Sequence, residues 1–147
     1  MITSVVASLA ILTDHPQRKV GHLTELLGIT PTAVWEYGDP WPSKKRADRL
    51  RSHGQWRFEE ERTISNAEDP DGMESLVRLA ERFEPLADKL GGLGKDYRII
   101  VGMFGSSDST QAGFWIGPET MRRLGLLHAA FVPDIYLSDD LYAEDLD

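Results

Sequence analysis

Trp35, Trp41 and Trp56 fall within a stretch of 22 residues, with Asp39 between the first two and the bases Lys44, Lys45, Arg46, Arg49 and Arg51 between the last two. An indole offers a wide apolar face and one N–H donor. It is rarely fully buried, and it often lines grooves and interfaces. A guanidinium or ammonium beside such a face can hold an anion, a carboxylate-bearing peptide or a base. The chemistry is binding rather than bond-making, and the candidate ligand site is Trp35, Asp39, Trp41, Lys45, Arg46, Arg49 and Trp56. Packing competes with this reading. Trp35 and Trp56 on neighbouring strands would pair as core, and the arginines would pair with acids elsewhere. Trp41 lies between Pro40 and Pro42 and is the more open of the three.

Other chemistry finds less support. The chain has no cysteine, which rules out disulfide scaffolds, zinc ribbons, iron–sulfur centres and thiol nucleophiles. Gly91, Gly92, Gly94 and Lys95 suggest a phosphate loop, but that pattern needs Gly at 89 and Ser or Thr at 96, where Lys89 and Asp96 stand. Ser106, Ser107 and Ser109 sit in no nucleophile elbow. His15, His22, His53 and His128 are too far apart in sequence for a helical metal pair, so no metal and no cofactor is expected. Glu59, Glu60 and Glu61 are consecutive and read as solvent-exposed, and nothing singles out two carboxylates for acid–base catalysis.

Charge points to a partner. Up to residue 58 there are 8 Lys and Arg against 5 Asp and Glu; from residue 59 there are 8 against 19. The net −8 is therefore carried by the second part, which ends in an acidic tail at 139–147. Such a surface is repelled by nucleic acid and attracts basic proteins, with Asp139, Asp140 and Glu144 as candidate partner-binding residues. The longest apolar run, residues 5–12, is far short of the ~20 residues of a membrane span. No Lys or Arg precedes it, so a signal peptide is not expected, and a cysteine-free chain suits the cytoplasm.

A chain of 147 residues with 41% hydrophobic content is one domain with a packed core, here placed at 1–138. Residues 4–12 read as a central strand. Asp14 and Pro16 look like the start of a helix carrying Val20, Leu23, Leu26 and Leu27, with Gly28 as its left-handed stop. Strands follow at 32–37 and 55–62, flanking the basic excursion. A helix is predicted from about Met73, broken at Pro85 and ending at Gly91. Residues 97–104 make a second central strand, adjacent to the first because both are apolar on both faces. A hairpin loop at 105–111 and a partner strand at 112–116 come next. They lead to a helix from Pro118 to Gly125 and a last strand at 129–137, with Pro133 marking an edge or bulge. The two helix ends at Gly28 and Gly125 echo one another. The fold class is α+β: a ferredoxin-like β-α-β-β-α-β unit extended by a further β-α-β, in a mixed or antiparallel sheet with helices mainly on one face.

The run Leu27-Gly-Ile-Thr-Pro-Thr-Ala-Val-Trp35, then Gly38-Asp39-Pro40, a basic stretch and Gly54-Gln55-Trp56, resembles the small bacterial family called domain of unknown function 4279. The Leu-Gly-Leu helix end before Asp134-Ile135-Tyr136 is similar too, so the resemblance spans nearly the whole chain. It implies a compact bacterial α+β domain and transfers no catalytic residue. The functional expectation is a non-enzymatic protein-interaction module, an inhibitor or immunity-type protein acting on a basic partner. The alternative is a small-ligand or nucleotide-binding domain using the Trp/Arg pocket, and a hydrolase ranks third.

Overall fold

A computed structural model describes residues 1–42, 48–110 and 113–137. Its spine is β1 (Ile2–Thr13), antiparallel to β3 (Gly54–Glu59) on one side and to β5 (Arg98–Ser107) on the other. β2 (Ala33–Trp35) adds antiparallel to β3, β4 (Thr63–Ile64) pairs with β1, and β6 (Ala130–Leu137) runs parallel to β5. The sheet is mixed, in the order β2-β3-β1-β5-β6 with β4 beside β1, and the chain is α+β. The strands expected from residues 4 and 97 are adjacent and central. A strand apolar on both sides is best placed where neighbours flank both of its edges.

Register defines the two faces. Leu9 stands opposite Phe58 and Val101, and Ile11 opposite Trp56 and Ile99, so these side chains lie together. With Val5, Ala7 and Met103 they form a buried cluster that also takes in helix residues. α1 (Leu23–Leu27) gives Leu23 and Leu27, α2 (Glu74–Phe83) gives Leu76, Leu79 and Phe83, and α3 (Ala87–Gly91) gives Leu90. The spacing of 3 and 4 in α2 puts its three apolar residues on one stripe. Phe83 meets Trp56 and Phe58 edge-on at ring separations of 6.5 and 5.8 Å. Each fully buried side chain of this size stabilises the fold by about 1.5–3 kcal/mol. Pro85 ends α2, and a 3-10 turn over Glu84–Leu86 restarts the chain as α3.

Four expectations are corrected. The helix does not begin at Asp14: residues 16–22 contain only turns and a bend before α1. The carboxylate of Glu36 accepts from Val20 N (2.8 Å) and Gly21 N (3.3 Å), which satisfies donors a helix would otherwise have used. The predicted strand at 112–116 is not formed over described residues 113–116. β5 continues to Ser107, and β1 and β6 already occupy both its edges, so no edge is left for a hairpin partner. The predicted strand at 55–62 stops at Glu59, and the chain resumes pairing only at Thr63. In the gap Ala7 N donates to Ser75 Oγ at 2.9 Å, so the start of α2 takes the place of a strand neighbour. The echo between the helix ends is also incomplete. Gly28 is left-handed at φ 69°, but after α4 (Pro118–Gly125) the left-handed residue is His128, at φ 56°. The tail at 139–147, with Asp139, Asp140 and Glu144, lies outside the described residues.

Candidate functional site

The tryptophans divide between the two faces of the sheet. Val34 is the residue opposite Trp56, and Trp35 is opposite Gln55, so the two indoles point to opposite sides. Trp56 is completely buried, and its N–H donates to Thr24 Oγ1 at 3.2 Å. It belongs to the core and joins neither a Trp35 pair nor a ligand site.

Trp35 and Trp41 do come together. Gly38, at φ 87°, turns the chain after β2, and the Asp39 carboxylate accepts from Glu36 N at 2.9 Å. The chain then doubles on itself as a ribbon. Gly38 N donates to Arg51 O, Arg51 N to Asp39 O and Trp41 N to Arg49 O, at 2.9, 2.7 and 3.1 Å. Pro40, which has no N–H, stands at the bridge to Leu50. The ribbon delivers Arg51 between the indoles, its guanidinium carbon 4.0 Å from the Trp35 ring centre and 3.7 Å from that of Trp41. His53 meets Trp35 edge-on at 5.7 Å and hydrogen-bonds with Gln55. Trp35 and Trp41 therefore share one cation, and that cation is the chain's own. A ligand that stacked between the rings would have to displace Arg51. Each cation–π contact is worth about 0.5–1 kcal/mol when exposed and about 2 when dry. Arg49 is exposed, and Lys45 and Arg46 lie outside the described residues.

The acidic run is not uniformly solvated either. Glu60 is only 7% exposed, and its two carboxylate oxygens accept from Arg82 Nε and Nη2 at 2.8 and 2.9 Å. The hydrogen bond to Glu60 holds the Arg82 guanidinium above its ordinary pKa, and Arg82 also lies 4.9 Å over the ring of Phe58. The expectation of an exposed Glu59–Glu61 run fails at its middle member, because the alternation that puts Trp56 and Phe58 inward carries Glu60 to the same side, where it meets Arg82 of α2.

A second constellation was missed from sequence. A cleft of about 280 Å³ opens between the turn before α2 and the start of α4. Pro70, Met73, Leu76, Val77 and Ile116 form its apolar lining, and Glu68, Asp69, Asp71 and Glu74 supply carboxylates around it. Trp115 is also part of the lining and is 71% exposed. The acidic wall is well anchored. Asn66 Oδ1 accepts from Glu68 N and Asp69 N at 2.9 and 3.1 Å, and the Asp69 carboxylate accepts from Met73 N and Glu74 N at 3.0 and 3.1 Å. That carboxylate satisfies orphan donors at the start of α2 and suits the positive end of the helix dipole. On the opposite wall, Gly117 and Pro118 open α4. α4 is tied to the end of α2 by Arg123 and Arg122, which reach Glu84 at 2.7 and 3.1 Å. The hydrogen bonds from Arg123 and then Arg122 hold the Glu84 carboxyl below its usual pKa. The signal available in the sequence was the fourth tryptophan, between Gly113 and Gly117, and the density of acids at 68–74.

Among the described residues, no group of three or more His, Asp or Glu side chains is placed to hold a metal ion. No described helix is long and apolar enough to cross a membrane. The model of the family described as domain of unknown function (DUF4279) matches residues 3–138, and the chain belongs to that family. No curated protein and no solved structure matches it.

Proposed function

We propose that this member of the DUF4279 family is a non-enzymatic interaction module that takes a basic segment of another protein into the Trp115 cleft. The observation that carries the reading is Trp115 itself, a large aromatic left 71% exposed over an apolar floor with carboxylates at the rim. Exposed aromatics of this kind are the usual anchors of protein interfaces. An Arg or Lys side chain has an apolar stem and a cationic head, which match the floor and the rim in turn. A net charge of −8 would steer such a partner from a distance. An inhibitor or immunity-type role against a basic protein fits the same surface. The sheet order β2-β3-β1-β5 supports reading the scaffold as a ferredoxin-like unit with β6 appended, a frame that leaves its connecting segments available for recognition.

The small-ligand alternative draws less support, since Arg51 already fills the space between Trp35 and Trp41. The test is titration of a short Arg-containing peptide, followed by indole fluorescence. Binding should weaken with salt, fall at least tenfold in Trp115→Ala, and fall in a Glu68→Lys/Glu74→Lys pair. It should be unchanged in Arg51→Ala. Equal binding by Trp115→Ala and wild type would sink the reading.

A further inference from the structure

The register that gathers the core leaves a second sheet face with an unusual composition. Val6 stands opposite Phe104, Ala10 opposite Ile100, and Gly102 between Ser8 and Val132. An antiparallel sheet with one wetted face normally alternates apolar inward and polar outward. Here the outward positions of β1 are apolar or small, and so are those of β5 after Arg98. Ile64, Phe104 and Val132 on this side are 62%, 45% and 44% exposed. The buried leucines of α1, α2 and α3, with Phe83, go to the core cluster with Leu9 and Ile11, on the other face. Among the described residues, only the end near Gln55 is roofed, by the Arg51 ribbon, and Gln55 is buried there.

We infer that this outer face is the interface of a homodimer, covered by the same face of a second copy of the chain. Three arguments favour a second copy over a different protein. Charge is the first. Arg57, Arg62 and Arg98 against Glu59 and Asp134 leave the face nearly neutral, although the chain as a whole carries −8. A face built for a basic partner would be acidic, whereas a balanced one does not repel its own copy. Size is the second. Four strands about 4.8 Å apart and about eight residues long at about 3.3 Å each give a footprint of about 500 Å². Two such footprints reach the roughly 1,000 Å² that a specific interface needs, before side-chain relief is counted. Symmetry is the third. A single apolar patch that meets itself closes the assembly at two copies, with the sheets packing about 10 Å apart.

The mass of the full-length chain in solution, by sedimentation equilibrium from low to high micromolar concentration, tests the inference. Wild type should show twice the chain mass and dissociate on dilution. Phe104→Asp and Val132→Lys should each be monomeric over the same range with unchanged circular dichroism. A wild type that stays monomeric throughout overturns the inference, even if the face later proves to hold another protein. A dimer that survives both substitutions overturns it too, because it must use another surface such as the β6 edge. Should either charged variant fail to fold, the cysteine-free chain allows a gentler probe. A nitroxide on Val132→Cys should show spin–spin broadening in the dimer, and one on the helix-side residue Leu126→Cys should not. The reverse pattern would place the contact on the helical side and end the proposal.

Discussion

Two regions of this molecule set tryptophan among charges, and they have reached opposite states. Around Trp35 and Trp41 the charge is the chain's own, and the Arg51 guanidinium carbon lies 4.0 and 3.7 Å from the two ring centres. Around Trp115 the charges are carboxylates at the mouth of an apolar cleft, and the ring is 71% exposed. In the first region the chain has met its own recognition chemistry and used it to close an excursion from the sheet. In the second the aromatic face is left open. The proximity of Trp to Arg in a sequence therefore suggests an interaction without saying whether its second party comes from outside. What decides is whether backbone pairing delivers the charge onto the ring, as the ribbon of residues 38–41 and 49–51 does for Arg51.

The buried indole sets the scale for this contrast. Trp56→Ala removes a fully buried side chain packed on Phe83 and should cost about 3–5 kcal/mol, seen as a lower denaturant midpoint with an unchanged slope. Arg51→Ala should cost less, about 1–3 kcal/mol, because two stacked contacts are lost together. Arg51→Lys should recover less than half of that, since an ammonium cannot cover two ring faces as a planar guanidinium does. A variant Arg51→Ala that kept wild-type stability and gained affinity for a mononucleotide would reverse the comparison. The Trp35 region would then be a ligand site that Arg51 merely occupies.

What could be read from the sequence follows the same division between local and distant causes. The adjacency of β1 and β5 was legible because both strands are apolar on both sides. The stop at Gly28 was legible because a left-handed residue there costs glycine nothing. The approach of Trp41 to Trp35 was legible because Gly38-Asp39-Pro40 can only turn. The choice of Arg51 among five bases was not, since it depends on pairings that form only when the ribbon closes. Nor was the burial of Glu60, whose partner Arg82 lies 22 residues away on a helix. Residues 112–116 look like a strand in isolation, and only the arrival of β6 along β5 denies them an edge. Trp115 lies among them, and a strand reading says nothing of its 71% exposure.

Trp115→Ala should change stability by no more than about 0.5 kcal/mol, as expected for a surface position. It should also abolish most of the fluorescence response to a basic peptide. That pairing of outcomes separates it from Arg51→Ala, where stability falls and peptide binding does not. If Trp115→Ala were as destabilising as Arg51→Ala, the ring would be part of the fold despite its exposure, and the two regions would differ only in degree.

The smallest expected effect is the pH response of the clamp that holds one wall of the open site. Glu84 accepts from Arg123 and Arg122, and those bonds hold its carboxyl below the usual carboxylate pKa. A carboxyl depressed on folding stabilises the protein in its ionised form. Its contribution is complete above the unfolded value, about 4.3 for Glu, and disappears as pH falls through the lower folded value. The same sign holds for Asp108, whose carboxyl is depressed chiefly by a hydrogen bond from the Met1 ammonium. Glu84→Gln should therefore melt below wild type at neutral pH and by a shrinking margin as the solution is acidified, until the two curves meet. Both groups lie near the surface, so salt should narrow the margin as well. Since α4 carries Gly117 and Thr120 into the cleft, loosening the clamp should also shift Trp115 emission in the acid range, and it should leave the Trp35 stack unchanged. A margin that stayed constant with pH would mean that Glu84 acts through packing, and that the open site owes nothing to these ion pairs.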